Sequence, residues 1–272
     1  MSLIGDLVFS RYRIVRPVGR GASCVVFLAV DPEGAPFALK VFPPRLSQRG
    51  RREFALAKNL RHPHINKVLE QTVIDGQVAL LIDFIPGRML SQAFSNPAGV
   101  PVASSRNPER RRAFLSSLDQ LGSALEYLHA NGIVHRDLKP ANVLRREDGF
   151  TVLVDFDLSG PTGERFRSSL MVGTLAYMSP EQLRGEPAEA ASDLYSLGVL
   201  LYWGLSGELP FYGTAEEVAA QQDLGLHQGP GERAGFPDPL DALALQLLRR
   251  NPSERPEGAT EVRIRLRSGV VP

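Results

Sequence analysis

The chain has 272 residues, 43% of them hydrophobic, and a formal net charge of +1, which allows one large or two modest cores. So even a charge balance creates no global basic field and gives no reason to expect nucleic acid or an anionic membrane as partner. The single cysteine, Cys24, has no disulfide partner within the chain, the apolar run at 78–82 stops at Asp83 well short of the ~18 residues of a membrane span, and Met1-Ser2-Leu3-Ile4-Gly5-Asp6 lacks the basic start of a leader. A cytoplasmic protein without a membrane span is the expectation.

Residues 12–18, 25–30 and 36–42 are runs rich in Val, Ile and Phe. They read as antiparallel strands, with Asp31-Pro32-Glu33-Gly34 turning between the second and third. Between the first two lies Gly19-Arg20-Gly21-Ala22-Ser23-Cys24-Val25-Val26, where glycines without Cβ let backbone amides approach an anion such as phosphate. Lys40, in Ala38-Leu39-Lys40, is a charge among apolar neighbours, costly unless paired or reaching a phosphate; a lysine on the solvent face is the competing reading. Residues 51–60 suit a helix with Phe54, Leu56, Ala57 and Leu60 as its apolar face. Glu53 falls near its beginning, where a glutamate also answers the helix dipole. Residues 68–74 and 78–84 flank the hairpin signal Asp75-Gly76. The first part of the chain is thus expected to hold about five strands and one helix.

Residues 92–108 read as an irregular connection after a short helix. A longer helix starts at Asn107-Pro108 and carries Phe114, Leu115, Leu118, Leu121, Leu125 and Leu128 at helical spacing until Asn131-Gly132 ends it. Its Arg110-Arg111-Arg112 run reads as a solvated face, with a docking patch as the alternative. Then comes His135-Arg136-Asp137-Leu138-Lys139-Pro140-Ala141-Asn142, a turn-like segment between apolar runs. Asp137 offers a proton-accepting carboxylate, Lys139 a cation, and Asn142 an amide oxygen suited to a hard metal such as magnesium, while Pro140 stiffens the bend. Strands at 143–144 and 151–154 flank a polar turn. After them stands Asp155, a carboxylate that is expensive at the end of a buried strand unless it binds something.

The segment 135–142, together with Asp155-Phe156-Asp157 and Gly173-Thr174-Leu175-Ala176-Tyr177-Met178-Ser179-Pro180-Glu181, resembles the signature of serine/threonine protein kinases, most closely the eukaryotic-like kinases of bacteria. The resemblance implies an α+β, two-lobed kinase domain over about residues 10–268. Its parts are a small antiparallel β-sheet lobe with one main helix over about 10–84, a hinge at about 83–87 and a larger, mainly helical lobe over about 88–268. ATP and Mg2+ are the implied cofactors. A protein with a Ser or Thr acceptor is the implied partner, in signalling and with autophosphorylation in a possible homodimer. Position by position, Asp137 orients and deprotonates the hydroxyl, Lys139 stabilises charge on the transferring group, and Lys40 holds phosphates and pairs with Glu53. Asn142 and Asp155 ligate the metal. Val18, Gly19, Gly21, Val26, Ala38, Ile82, Asp83, Ile85 and Leu144 line the nucleotide pocket, the backbone of Asp83 and Ile85 facing the adenine edge. Asp193 holds the loop backbone, Glu181 pairs with Arg255, and residues 158–171, with Thr162, Arg165, Arg167, Ser168 and Ser169, form a short activation loop that Arg136 binds once phosphorylated.

Cys24 takes the place of the family's third loop glycine and is expected to stiffen the loop tip and weaken phosphate approach; its side chain reads as a small residue tolerated near the tip, with a redox or alkylation handle as the alternative. Asp157 replaces the glycine after Phe156, with expected restriction of the backbone and altered metal binding or repulsion of phosphate. Ser179 stands for alanine. Cys24 and Asp157 motivate a pseudokinase scaffold as the alternative, against which Lys40, Glu53, Asp137, Lys139, Asn142 and Asp155 are all present. A small-molecule kinase is disfavoured by Lys139 and by the segment 173–181. An end just past the last expected helix is compatible with a piece of a longer receptor.

Overall fold

The computed structural model describes residues 3–96, 98, 100–165, 175–226, 228–235 and 237–269. The chain divides into one unit of Met1–Pro86 with Asp155–Asp157 and a second of Gly87–Val154 with Leu158–Pro272.

The first unit is built on a six-stranded antiparallel sheet. Its strands are β1 (Leu7–Val8), β2 (Tyr12–Arg20), β3 (Val25–Val30), β4 (Pro36–Phe42), β5 (Val68–Ile74) and β6 (Gln77–Asp83), in the order β1-β2-β3-β4-β6-β5. Asp75 and Gly76 both take positive φ, 47° and 75°, the twist that a two-residue hairpin turn needs. β2 runs past the expected end at 18, because Gly19 and Arg20 pair with Val26 and Val25. Strand alternation sorts the side chains by face. Val26, Lys40 and Leu80 form one cross-strand row and Leu28, Ala38 and Ile82 the next, on the same face. The opposite face carries Ala29, Leu39, Val41, Ala79 and Leu81, which pack with Leu3, Val8, Tyr12 and Ile14 into a core. The start expected at residue 10 therefore cuts through this packing, and β1 makes the sheet larger than expected. A two-residue strand carries no alternation for a sequence pattern to reveal.

Helix α1 (Ser47–Ala57) starts before the expected position 51, and its buried residues are Gly50, Glu53 and Ala57 rather than Phe54 and Leu56. Gly50 explains both differences. A Cβ there would lie 2.7 Å from the Phe42 ring and 2.9 Å from Val78 Cγ1, so glycine lets the helix lie close against β4 and β6 despite its poor helix propensity. Glu53 consequently sits in mid-helix and faces inward.

The second unit is mainly helical. Its short strands are β7 (Arg88–Met89), β8 (Ile133–Val134), β9 (Val143–Arg145), β10 (Thr151–Leu153) and β11 (Gly160–Pro161). They form a β10-β9-β7 sheet and a β11-β8 pair. Its helices are α2 (Leu90–Ala93), α3 (Pro108–Ala130), α4 (Pro180–Leu183), α5 (Ala190–Ser206), α6 (Ala215–Leu224), α7 (Pro230–Arg233), α8 (Asp241–Leu247) and α9 (Ala259–Ser268). α3 begins and ends where the sequence places it: the Arg110 N–H donates to Asn107 Oδ1 at 2.9 Å, and Gly132 follows at φ 69°. α5 is buried on all sides from Ser192 to Ser206, as expected of a helix that is apolar all round. Gly204 is required by a close approach, since a Cβ there would overlap the Phe114 ring. The arginine run of α3 is only in part the expected solvated face, since Arg112 is exposed whereas the other two are engaged. Arg111 binds Asp238 and the Gly269 carbonyl, and Arg110 lies over the Phe94 ring at 5.4 Å.

Candidate active site

Lys40 is the centre of the first unit's polar cluster. β4 turns its side chain onto the face shared with Ala38 and Ile82, and α1 brings Glu53 to it. The Lys40 ammonium, 3% exposed, donates to Glu53 Oε1 and Oε2 at 2.8 and 2.6 Å and to Asp155 Oδ1 at 2.7 Å. Burial disfavours the charged lysine, but the carboxylates of Asp155 and Glu53 outweigh it and raise its pKa. Burial pushes the Glu53 carboxyl up, against the pull of Lys40 and with the help of Asp155. The solvent-face reading of Lys40 and the helix-dipole reading of Glu53 are both excluded by this pairing. Asp155, expected in the larger lobe, belongs to the first unit's contacts because Lys40 holds it there. The turn is anchored further by the Phe156 N–H donating to Glu53 Oε1 at 3.3 Å and the Asp157 N–H donating to Asp155 Oδ1 at 3.2 Å.

The departures at Cys24 and Asp157 are both accommodated in the first unit. Cys24 is 7% exposed, and burial pushes its thiol up to about 11, the condition of an inert cysteine rather than a redox or alkylation handle. Its carbonyl accepts the Gly21 N–H at 2.9 Å, closing the loop tip. Neither Gly19 nor Gly21 is in the left-handed region. A Cβ at Gly19 would meet nothing within 4 Å, and at Gly21 only the Cys24 carbonyl at 3.8 Å. Internal packing therefore does not explain these glycines. Asp157 is absent from the positive-φ residues, so its side chain imposes no backbone strain. Its carboxylate is directed at Arg49 Nη1, at 3.4 Å, instead of standing unpaired to repel phosphate.

At the end of β6, Ala38 and Ile82 are register partners, and Ala38 is buried. The Asp83 N–H donates to the Lys67 carbonyl at 3.1 Å, and the Asp83 carbonyl accepts from Asn66 Nδ2 at 3.2 Å. The backbone groups of Asp83 are thus engaged within the first unit, whereas the Ile85 N–H makes no hydrogen bond among the described residues. Val18 is 40% exposed and Val26 half-buried.

In the second unit, α5 organises the loop between β8 and β9. Asp193, fully buried, accepts the N–H groups of His135 and Arg136, both at 2.8 Å, and bonds His129 Nε2 at 2.9 Å. Burial would raise its pKa, yet His129 and the loop N–H groups hold it below the usual carboxylate value. Gln182 Nε2 donates to the Arg136 carbonyl and Ser159 Oγ to that of His135. Arg136 is held at φ 67° and Asp155, in the other unit, at φ 69°, conformations that side chains other than glycine adopt only under such over-determination. The loop presents Asp137, 9% exposed, with Lys139 Nζ donating to both its oxygens at 2.9 and 2.8 Å. Asn142 Nδ2 donates to Asp137 O and Oδ2, each at 2.8 Å. Leu144 follows, half-buried in β9. The expected Glu181–Arg255 pair is present as a bidentate bridge at 2.7 and 2.9 Å, extended by Ser192.

Among the described residues no group of three or more His, Cys, Asp or Glu could hold a metal unaided. The donors present suit magnesium, which binds through few protein oxygens and shares its sphere with phosphates. Taken unit by unit, they are the Asp155 carboxylate of the first, 32% exposed, and Asn142 Oδ1 of the second, which takes no hydrogen bond among the described residues. Sequence reasoning missed Arg49, Asn66, Gln182 and Glu164, the last bound to Arg136 Nη1 at 2.9 Å. A spacing of four from Glu53 was the available signal for Arg49. The expected loop residues Arg167, Ser168 and Ser169 and the docking-segment residues Gly173 and Thr174 lie outside the described residues.

Residues 12–263 match the family described as the protein kinase domain. The chain belongs to that family. The kinase domain is 35% identical to the serine/threonine-protein kinase PkaA of Streptomyces coelicolor, over 92% of this chain and 48% of that protein. It is 32% identical to PknB of Mycolicibacterium smegmatis, over 96% and 44%, and 34% to PknE of Mycobacterium tuberculosis, over 91% and 44%. These are bacterial-type serine/threonine kinases, and the chain spans about half or less of their length. The PknI kinase domain of Mycobacterium tuberculosis shares the fold, with a TM-score of 0.74 at 23% identity over 98% of this chain and all of that one. The crystal structure of Rad53 1–466 in complex with AMP-PNP superposes with a TM-score of 0.75 at 27% identity, over 97% and 66%. No helix among the described residues of the kinase domain is long and apolar enough to cross a membrane.

Proposed function

We propose that this kinase domain transfers the γ-phosphoryl group of ATP to Ser or Thr hydroxyls of a protein substrate. The observation that carries this is Lys40, a buried ammonium shared between Glu53 and Asp155. Buried charge clusters of this kind contribute little net stability, whereas a lysine fixed in this way is ready for phosphate oxygens. Gly19 and Gly21 leave open space for backbone amides to approach those oxygens, and Val18, Val26, Ala38, Ile82 and Leu144 give the adenine apolar surroundings. Ile85, with Asp83 in a lesser part, offers backbone polar groups to its edge.

Asp155 and Asn142 are the residues that would hold Mg2+, which supplies neutralisation of phosphate charge. Asp137 orients the acceptor hydroxyl and takes its proton at a carboxylate oxygen, while Lys139, now bonded to that carboxylate, stabilises negative charge on the transferring group. Catalysis of this type is positioning and electrostatics. The loop's anchoring by Asp193 supplies the rigidity that positioning requires.

The test is incubation of purified protein with γ-labelled ATP, magnesium and a generic protein substrate, followed by acid hydrolysis. Labelled phosphoserine or phosphothreonine is expected on the substrate and on the kinase itself. Nucleotide binding without any transfer would overturn the reading.

A further inference from the structure

Asp157 occupies the position where the family pattern has glycine, and the proposed transfer uses neither its carboxylate nor Arg49. Its side chain is 6% exposed, and Oδ2 faces Arg49 Nη1 at 3.4 Å across 108 positions of sequence. Oδ1 is buried with no hydrogen-bond partner among the described residues. Such a carboxylate is costly unless a cation offsets it, and Arg49 is that cation. Arg49 lies one helical turn before Glu53 on α1, so both residues reach the same three-residue turn. Asp155 is bound to Lys40, Phe156 through its N–H to Glu53, and Asp157 to Arg49. With glycine at 157 the last of these attachments would not exist.

We propose that the Arg49–Asp157 ion pair is a positioning device that clamps α1 to the 155–157 turn, setting Glu53 and the metal-binding carboxylate of Asp155 in place before nucleotide arrives. The clamp's service to catalysis rests on the kinase reading above; its mechanical effect does not. The buried Oδ1 gives the clamp an asymmetry. Arg49→Ala leaves a buried carboxylate without its cation, so it disturbs the turn more than Asp157→Gly, and adding Asp157→Gly to Arg49→Ala relieves part of the damage.

The experiment is amide hydrogen exchange on the ligand-free protein, followed in peptides covering 47–57 and 153–159. It compares the wild type, Asp157→Gly, Arg49→Ala and the double variant, with kcat and KM measured alongside. Expected are exchange about threefold faster in both peptides for Asp157→Gly, the scale of a half-buried ion pair, faster still for Arg49→Ala, and a double variant no worse than Asp157→Gly. In Asp157→Gly kcat falls by a similar factor, with KM for the protein substrate unchanged. Unaltered exchange in Asp157→Gly, or losses that simply add in the double variant, would overturn the proposal. An inert wild type with the exchange pattern intact contradicts the kinase reading and leaves the clamp standing; an active wild type with exchange unaltered in Asp157→Gly does the reverse.

Discussion

The two polar clusters are held by opposite means. Around Lys40, charged side chains hold one another: a cation lies between the carboxylates of Glu53 and Asp155, and the backbone adds the Phe156 N–H to Glu53 and the Asp157 N–H to Asp155. Around Asp137, the backbone itself is fixed by residues that take no part in the chemistry, chiefly Asp193, Gln182 and Ser159. The first arrangement is a balance of charges that a ligand's phosphates can re-partition. The second is a rigid mount. The difference teaches that equivalent-looking polar residues fail differently when removed.

Lys40→Met should have the largest effect on stability, because it leaves Glu53 buried opposite Asp155 with no cation. A loss of about 3–5 kcal/mol is expected by denaturant unfolding. The folded variant then holds a Glu53 proton that the unfolded chain releases above its ordinary 4.5. Stability relative to the wild type should therefore improve as pH is lowered from about 8 toward about 5, and a deficit that does not change with pH would contradict the charge-balance description. Asp193→Ala should cost a comparable amount, about 1–3 kcal/mol for each of the buried His135 and Arg136 N–H groups left orphaned, while abolishing transfer with nucleotide affinity unchanged. In the wild type the Asp193 contribution is present above the ordinary 3.8 and is lost as pH falls through its lower folded value; an acid-unfolding midpoint shared by the wild type and Asp193→Ala would argue against it. Cys24 should resist iodoacetamide near neutrality in the native state, its labelling rate rising only as pH approaches about 11. Smallest is the effect of phosphatase treatment. Arg136 already holds Glu164 at 2.9 Å, so transfer by the treated protein should stay within about twofold of the untreated, in contrast to the phosphorylation-bound loop that the sequence resemblance implies.

Much of this was legible in the chain because it rests on local chemistry. Asn107-Pro108 and Asn131-Gly132 bound α3 by capping rules that need no tertiary context, and Asp75-Gly76 dictates its hairpin. Lys40, Asp137, Asn142 and Asp155 declare themselves as polar groups in apolar surroundings. What stayed hidden depends on distant partners. Gly50 disguised the start of α1, since its value lies in contact with Phe42 and Val78 rather than in propensity. β1 exists only through its pairing with β2. The meaning of Asp157 could not be read without Arg49, nor that of Arg136 without Glu164, because an ion pair leaves no periodicity in a sequence.

The most direct test of the central claim is to measure nucleotide affinity and phosphoryl-transfer rate side by side for the wild type and Asp137→Asn. Asparagine preserves the shape of a residue whose loop is fixed by other groups. The account predicts unchanged nucleotide affinity and melting temperature, with transfer reduced on the order of 10³-fold. Transfer at the wild-type rate by Asp137→Asn would contradict it.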